Sequence, residues 1–146
     1  MSDNGYAAIP SHICAACGAS DSLVLEARDL PFEYRGQVTI ISAVHGQFCA
    51  ACGEGFSDPE YSADWQRMSC EMDAFTQKVD ASIAVEMRTI RKKLGLRQAD
   101  AGKLFGGGVS AFSEYECGKT QPHKSTVLLL KLLDKHPELL NEVRAA

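Results

Sequence analysis

Tyr61, Trp65, Met68, Met72, Phe75 and Val79 follow one another at intervals of 4, 3, 4, 3 and 4. That spacing returns an apolar side chain to one face of an α-helix at every turn. A start signal precedes it, with Ser57 or Asp58 as cap, Pro59 in the first turn and Glu60 where the helix dipole favours an acid. The stripe is expected to pack against a sheet. Ile83, Met87, Ile90 and Leu94 continue it almost in phase up to Gly95, a left-handed stop. No Gly or Pro interrupts residues 60–94, which is compatible with one long helix. Upstream, residues 22–30 and 31–48 read as strands with a turn near Gly36. Downstream, "LRQADAGKLF" predicts a helix ending at Gly106, and a third helix follows with Phe112 and Tyr115 facing inward. Ser110, Ala111, Ser113 and Glu114 are then expected on its outer face. The last helix, "STVLLLKLLDKHPELL", starts at a Ser125 cap and is apolar on most faces.

These elements predict an α+β protein. Its first domain is a small β-hairpin or meander with a helix, and its second is all-α. Residues 1–12 read as a disordered tail, 13–80 as the first domain, 81–84 as a linker and 85–146 as the second.

Cysteine placement adds chemistry to the first domain. Four of the six cysteines form two "CAAC" pairs, Cys14 with Cys17 and Cys49 with Cys52, each followed by a glycine. A CxxC turn aims two thiolates at one centre, and two such turns complete a tetrahedral shell. In a reducing cytosol a structural Zn(II) is the favoured reading, with a rubredoxin-like iron and a redox dithiol as alternatives. Because all four positions would be filled by protein, the metal would be structural rather than catalytic. His12 and His45 lie near the pairs but are not needed as ligands, and Cys70 and Cys117 read as half-buried free thiols.

Charge divides the chain the same way. Residues 1–81 carry 4 Lys/Arg against 12 Asp/Glu (4 − 12 = −8), and residues 82–146 carry 11 against 7 (11 − 7 = +4), which together give the net −4. The basic half suits nucleic acid and the acidic half a basic protein. No apolar run approaches membrane-spanning length and the N-terminus lacks a secretion signal, so a cytoplasmic protein without a membrane partner is expected. No Ser/His/Asp, paired-carboxylate or phosphate-loop arrangement points to an enzyme. The "GGG" at Gly106–Gly108 has no Lys-Ser/Thr behind it. Helix, glycine-bearing turn and helix in the basic half are the pattern of a helix-turn-helix.

The pieces "LPFEYRG", "HGQFCAAC", "FGGGVSAFSEYE", "QPH" and "LDKHPELLNEVR", in this order, resemble the MqsA-type antitoxins of bacterial type II toxin–antitoxin systems, which join a YgiT-type zinc finger to an Xre-like helix-turn-helix. The resemblance covers roughly nine tenths of the chain. It implies that Cys14, Cys17, Cys49 and Cys52 hold zinc. It also implies that the zinc domain neutralises a cognate basic ribonuclease, an mRNA interferase of the MqsR type, and that a dimeric helix-turn-helix binds double-stranded operator DNA and represses the operon. In the family an Asn and an Arg read bases where this chain has Ser110 and Glu114. A glutamate can only accept a hydrogen bond, for instance from cytosine, so the resemblance implies DNA binding without implying the same operator.

Gln98 is expected to touch a phosphate, as are the N–H groups around Gly108 and Ser110, with Ala111, Ser113 and Glu114 toward the bases and Lys119 and Lys124 nearby. A last helix apolar on most faces needs cover on two sides, so a homodimer through the C-terminal half is expected. The competing readings are a stand-alone zinc-containing transcriptional regulator with no toxin partner and a thiol–disulfide enzyme.

Overall fold

The computed structural model describes residues 12–146, so the tail expected over residues 1–12 lies, apart from His12, outside the described residues. The chain divides into two compact units, one of residues up to Glu33 together with Val38–Asp73, the other of Tyr34–Gln37 and Ala74–Ala146. The mixed α+β class expected from the sequence is what the structure contains.

In the first unit, strands β1 (Leu23–Tyr34), β2 (Gln37–Cys49) and β3 (Gly55–Phe56) form a sheet in the order β1-β2-β3. β1 and β2 are joined by Arg35 and Gly36, whose φ angles of 51° and 79° both lie in the left-handed region. Two such residues make the tight turn that matches the right-handed twist of its flanking strands. The sequence reading broke the first strand at Pro31, yet β1 runs through it. Because β1 is an edge strand, a residue without an N–H can stand there without breaking a ladder. β3 pairs antiparallel with β2 through Gln47 with Phe56 and Phe48 with Gly55.

On β2 the inward positions change parity, from Ile41 to Val44, Gly46 and Phe48. Ala43 sits at the change with φ 52°, and its N–H donates to Asp29 Oδ1 at 2.8 Å. The extra residue acts as a β-bulge, which re-aims the rest of the strand toward the cysteines.

Of the two caps the sequence offered, Asp58 is the one used, its carboxylate accepting the Glu60 N–H at 3.0 Å ahead of a 3-10 turn at Pro59–Tyr61. Helix α1 (Ser62–Lys93) follows as 32 residues without a break. Residues 81–84, expected as a linker, are therefore helical. Nothing in them disfavours a helix, and the stripe of Val79, Ile83, Met87 and Ile90 is buried across the whole stretch. Near the start of α1, Trp65 Nε1 donates to the His45 carbonyl at 2.8 Å, and Met68 and Met72 line an apolar cavity with Ile41 and Phe48. The first turns of the stripe, through Met72, thus pack on the sheet as the spacing predicted, whereas Phe75 and Val79 join the helical core of the second unit.

The second unit adds α2 (Gln98–Phe105), α3 (Ala111–Glu116), α4 (Lys124–Lys135) and α5 (Leu140–Ala145). Its core gathers Val79, Ile83, Met87, Ile90, Phe112, Leu130 and Leu133. Helix α4 begins at Lys124 with His123 as its cap residue and no side-chain cap, so Ser125 is not the cap the sequence reading made it. Pro122 is fully buried just upstream. The turn from Gly106 to Gly108 holds three consecutive left-handed φ angles of 92°, 93° and 85°, a path open to glycine and strained for other residues.

Gly102 has a different reason to be glycine. A Cβ there would lie 1.9 Å from the Gly108 carbonyl oxygen, far inside van der Waals contact. Alanine gains about 1 kcal/mol in helix propensity, but overpacking of this kind costs about 1–3 kcal/mol or more. Gly102→Ala is therefore expected to lower the stability of the second unit, read as an earlier loss of the 222 nm ellipticity on heating. An unchanged or raised midpoint would contradict the close approach of α2 to the glycine turn.

A candidate metal centre and a helix pair

The two cysteine turns are built alike. Cys14 N–H donates to the Ala19 carbonyl at 2.9 Å and Cys49 N–H to the Glu54 carbonyl at 2.8 Å, while Gly18 and Gly53 each return an N–H to the Cys14 and Cys49 carbonyls at 2.8 Å. The turns are cross-linked by Ala50 N–H to the Ser22 carbonyl at 2.7 Å. The second turn closes the inter-strand connection from β2 to β3. Folding the sheet thereby brings Cys17 and Cys49, 32 positions apart in sequence, to one point.

All four sulfurs lie within 4.8 Å of one another, with Cys14 and Cys49 buried and Cys17 and Cys52 exposed. Cys14 Sγ is 3.7 Å from Cys52 Sγ, and Cys17 Sγ is 3.8 Å from Cys49 Sγ. A tetrahedral shell with bonds of about 2.3 Å spaces its sulfurs about 3.8 Å apart. These contacts fit that shell, and the four cysteines could hold a metal ion.

Their acid–base state points the same way. The Ser22 hydroxyl, 3.2 Å from Cys49 Sγ, joins the Cys52 and Ala51 N–H groups in bringing the Cys49 thiol down to about 6. Cys52 moves oppositely. The Glu54 N–H pulls it down, but desolvation and hydrogen bonds to the sulfurs of Cys17, Cys49 and Cys14 push it up to about 12. Cys17, although lowered by the Ala19 N–H, is raised on balance by desolvation and its Cys14 neighbour. Four thiolates cannot crowd together without a compensating cation, which is what a divalent metal supplies.

The histidines stand aside. His45 Nδ1 is 2.7 Å from Asp64 Oδ2 and its ring stacks on Tyr61 at 4.7 Å, while Asp64 is held below its ordinary value by that contact. Cys70 and Cys117 are both exposed, not half-buried as expected. Cys70 falls on the solvent face of α1, and Cys117 on the last turn after α3.

The second constellation is the pair α2 and α3, which pack on each other across the glycine turn. Gly108, Ser110 and Ser113 are exposed, and Glu114 is partly exposed with its carboxylate 4.0 Å from Lys119 Nζ. Lys119 and Lys124 are exposed. Ala111 corrects the expectation of an outward face: it is buried, because Gly107 closes over its methyl group at the helix start. Gln98 is partly buried and donates its amide to Glu116 Oε2 at 2.9 Å.

Sequence reasoning missed Arg91 and Glu116. Both are buried, and the guanidinium grips the carboxylate through Nε to Oε1 and through Nη2 to Oε2 at 3.0 Å, while Nη1 donates to the Leu96 carbonyl at 2.7 Å. The signal was in the spacing. Arg91 stands four residues after Met87 and Glu116 four after Phe112, both on buried faces.

Residues 12–144 match the family described as the antitoxin component of bacterial toxin–antitoxin systems, MqsA. The chain belongs to the MqsA antitoxin family. It is 43% identical over 133 residues to the Antitoxin MqsA of Escherichia coli (strain K12), an alignment covering 90% of this chain and 98% of that one. A solved structure of the N-terminal domain of the E. coli protein MqsA is 28% identical, covers 47% of this chain and 97% of its own length, and gives a TM-score of 0.40. Membership in the MqsA family makes this protein an antitoxin and implies a toxin partner. No helix among the described residues is long and apolar enough to cross a membrane.

Proposed function

We propose that this antitoxin holds Zn(II) at Cys14, Cys17, Cys49 and Cys52, neutralises a basic mRNA-interferase toxin by covering it with the zinc-bearing unit, and represses its own operon in the cytoplasm. The observation that carries the reading is the extent of the family match, which runs from residue 12 to residue 144 and so includes both the cysteine turns and the α2–α3 pair. The zinc is structural, since four protein sulfurs leave no position for water or substrate. Neutralisation is steric, and no catalytic step is required of the chain.

On DNA, α3 enters the major groove with Ser113 and Glu114 toward the base edges. Gln98, the N–H groups of Gly108 and Ser110, and Lys119 and Lys124 serve the backbone. Lys119 offsets the charge of Glu114, so the acid can approach a cytosine amino group without meeting full phosphate repulsion. Two copies pair through the second unit. Leu128 and Leu132, one turn apart on α4, are both exposed and apolar, and a two-fold partner would cover them.

The test is an anisotropy titration of the metal-loaded protein against its own upstream DNA, with Glu114→Arg alongside. Wild type should bind a palindromic site saturably, with an affinity that falls steeply with salt. Glu114→Arg should prefer a different base at one position of each half-site, by a factor of about 10. Absence of wild-type binding at moderate salt would remove the repressor half of the reading.

A further inference from the structure

We propose that Arg88 and Gln98 form a clamp for a phosphodiester of the DNA backbone, set in place by the buried carboxylate of Glu116; the inference rests on the DNA-binding reading above. Glu116 is 1% exposed in its side chain, and its two oxygens receive donors from three residues. Arg91 takes both oxygens. Arg88 Nε approaches Oε2 at 3.4 Å and Gln98 Nε2 approaches the same oxygen at 2.9 Å.

The three donors come from two helices. Arg88 and Arg91 stand on α1 and Gln98 opens α2, while the acceptor closes α3. Two guanidinium groups share one carboxylate, so the cluster keeps one unit of positive charge. Arg91 does not carry that charge outward: it is buried, and its remaining Nη1 is spent on the Leu96 carbonyl. Arg88 does. Its side chain is 54% exposed, and among the described residues its terminal nitrogens Nη1 and Nη2 make no hydrogen bond.

Gln98 is oriented by the same acid. A carboxylate accepts only, so the amide must turn its NH2 inward, which leaves its second N–H and its carbonyl for the outer side. Bonding to Glu116 through Nε leaves the Nη1 and Nη2 of Arg88 as a donor pair of the kind with which an arginine meets two phosphate oxygens. Glu116 is thus a positioning residue for DNA. Lys119 and Lys124, by contrast, are point charges without such a hold.

Arg88→Ala and Arg88→Lys change an exposed side chain and should leave the melting curve of the protein near that of wild type, whereas Gln98→Ala removes one donor to a buried carboxylate and should lower it modestly. With upstream DNA as the probe, Arg88→Ala should weaken binding about tenfold on every sequence tested, and should flatten the log Kd against log salt slope by about 0.9 for each clamp engaged. Gln98→Ala should weaken binding about threefold to tenfold without moving the slope, since it removes a neutral donor. Arg88→Lys should keep the slope but recover only part of the affinity. Glu116→Gln tests the positioning role: its loss of affinity should shrink when it is made in the Arg88→Ala background, whereas a merely structural role would act equally in both.

Inorganic phosphate at matched ionic strength should compete no better than chloride, because a single phosphodiester is held here as part of a duplex. Strong competition by free phosphate would make the cluster a phosphate site rather than a DNA clamp. Wild-type binding with an unchanged slope and affinity in Arg88→Ala would overturn the clamp and leave the repressor reading standing. Failure of wild type to bind DNA would overturn both.

Discussion

Under the proposed zinc reading, a chelator added to the purified protein at neutral pH should unfold the first unit while leaving the helices of the second in place. The sheet of that unit has two long strands and one of two residues, so its apolar burial is small. Such a unit depends on a cross-link for its stability. The single tryptophan makes the event separable: Trp65 lies in the first unit, bonded to the His45 carbonyl and packed beside Gly46. Chelation should therefore red-shift the Trp65 emission, and added Zn(II) should restore it. Most of the 222 nm ellipticity, which comes from the second unit and α1, should remain.

Cys49→Ser should reproduce the chelated state without chelator. It removes the sulfur that Ser22 and two backbone N–H groups already hold lowest, and a serine hydroxyl is a poor zinc ligand. An emission spectrum indifferent to both treatments would show that the four sulfurs are not a structural centre. Rapid alkylation of all four thiols in the untreated protein would favour the dithiol alternative instead.

Glu116→Ala should destabilise the second unit by about 3–5 kcal/mol, the cost of leaving a buried partner charge unpaired. The orphan would be Arg91, whose Nε and Nη2 would lose their acceptor in a region where water is excluded. Replacing Arg91 by Met together with Glu116 by Leu should recover much of the loss, because an apolar pair of similar volume carries no desolvation penalty. Denaturant midpoints of the two single variants and the double variant measure this directly, and a double variant no better than the worse single would contradict the pairing.

The same pair sets a dependence on acid. Burial raises the Glu116 carboxyl, but the hydrogen bonds from Arg91 and Gln98 and the charge of Arg91 outweigh it and hold the group below its ordinary 4.5. A depressed folded value means that its stabilisation is complete above about pH 4.5 and is lost as pH falls through the lower folded value. Wild type should lose stability over that acid window more steeply than the double apolar variant.

Under the proposed function, the exposed face of α3 carries the readout of the operator. Glu114 stands where an arginine is implied by the family resemblance, and the structure sets Lys119 against it at 4.0 Å. In the proposed repressor, a charged acceptor balanced in this way would reverse the polarity of the readout, from donating toward a guanine to accepting from a cytosine. The operator of this chain is therefore expected to differ from that of its relatives at one base pair per half-site.

Much of this molecule follows from the linear pattern. The 4, 3, 4, 3, 4 spacing from Tyr61 to Val79 makes a helix wherever that helix ends up, because local periodicity is independent of context. The Asp58 cap, the turn at Gly36 and the two cysteine turns are likewise decided by neighbours a few residues apart. The sum of local signals also gave the α+β class. What local signals could not decide were the features set by distant contacts. Pro31 lies inside β1 because that strand is an edge, and edge position is a property of the whole sheet. Ala111 is buried and Gly102 obligatory because the glycine turn folds back over α2 and α3. The Glu116 carboxyl is held below its ordinary value in the interior chiefly because Arg91, 25 residues earlier, reaches it, with Gln98 and Arg88 adding donors. The sequence by itself determined most of the elements and the four clustered sulfurs that could hold a metal ion, through spacing and residue chemistry. Only the tertiary structure decided which charges are buried, which polar groups share one carboxylate and which faces remain open, since burial and pairing depend on atoms far apart along the chain.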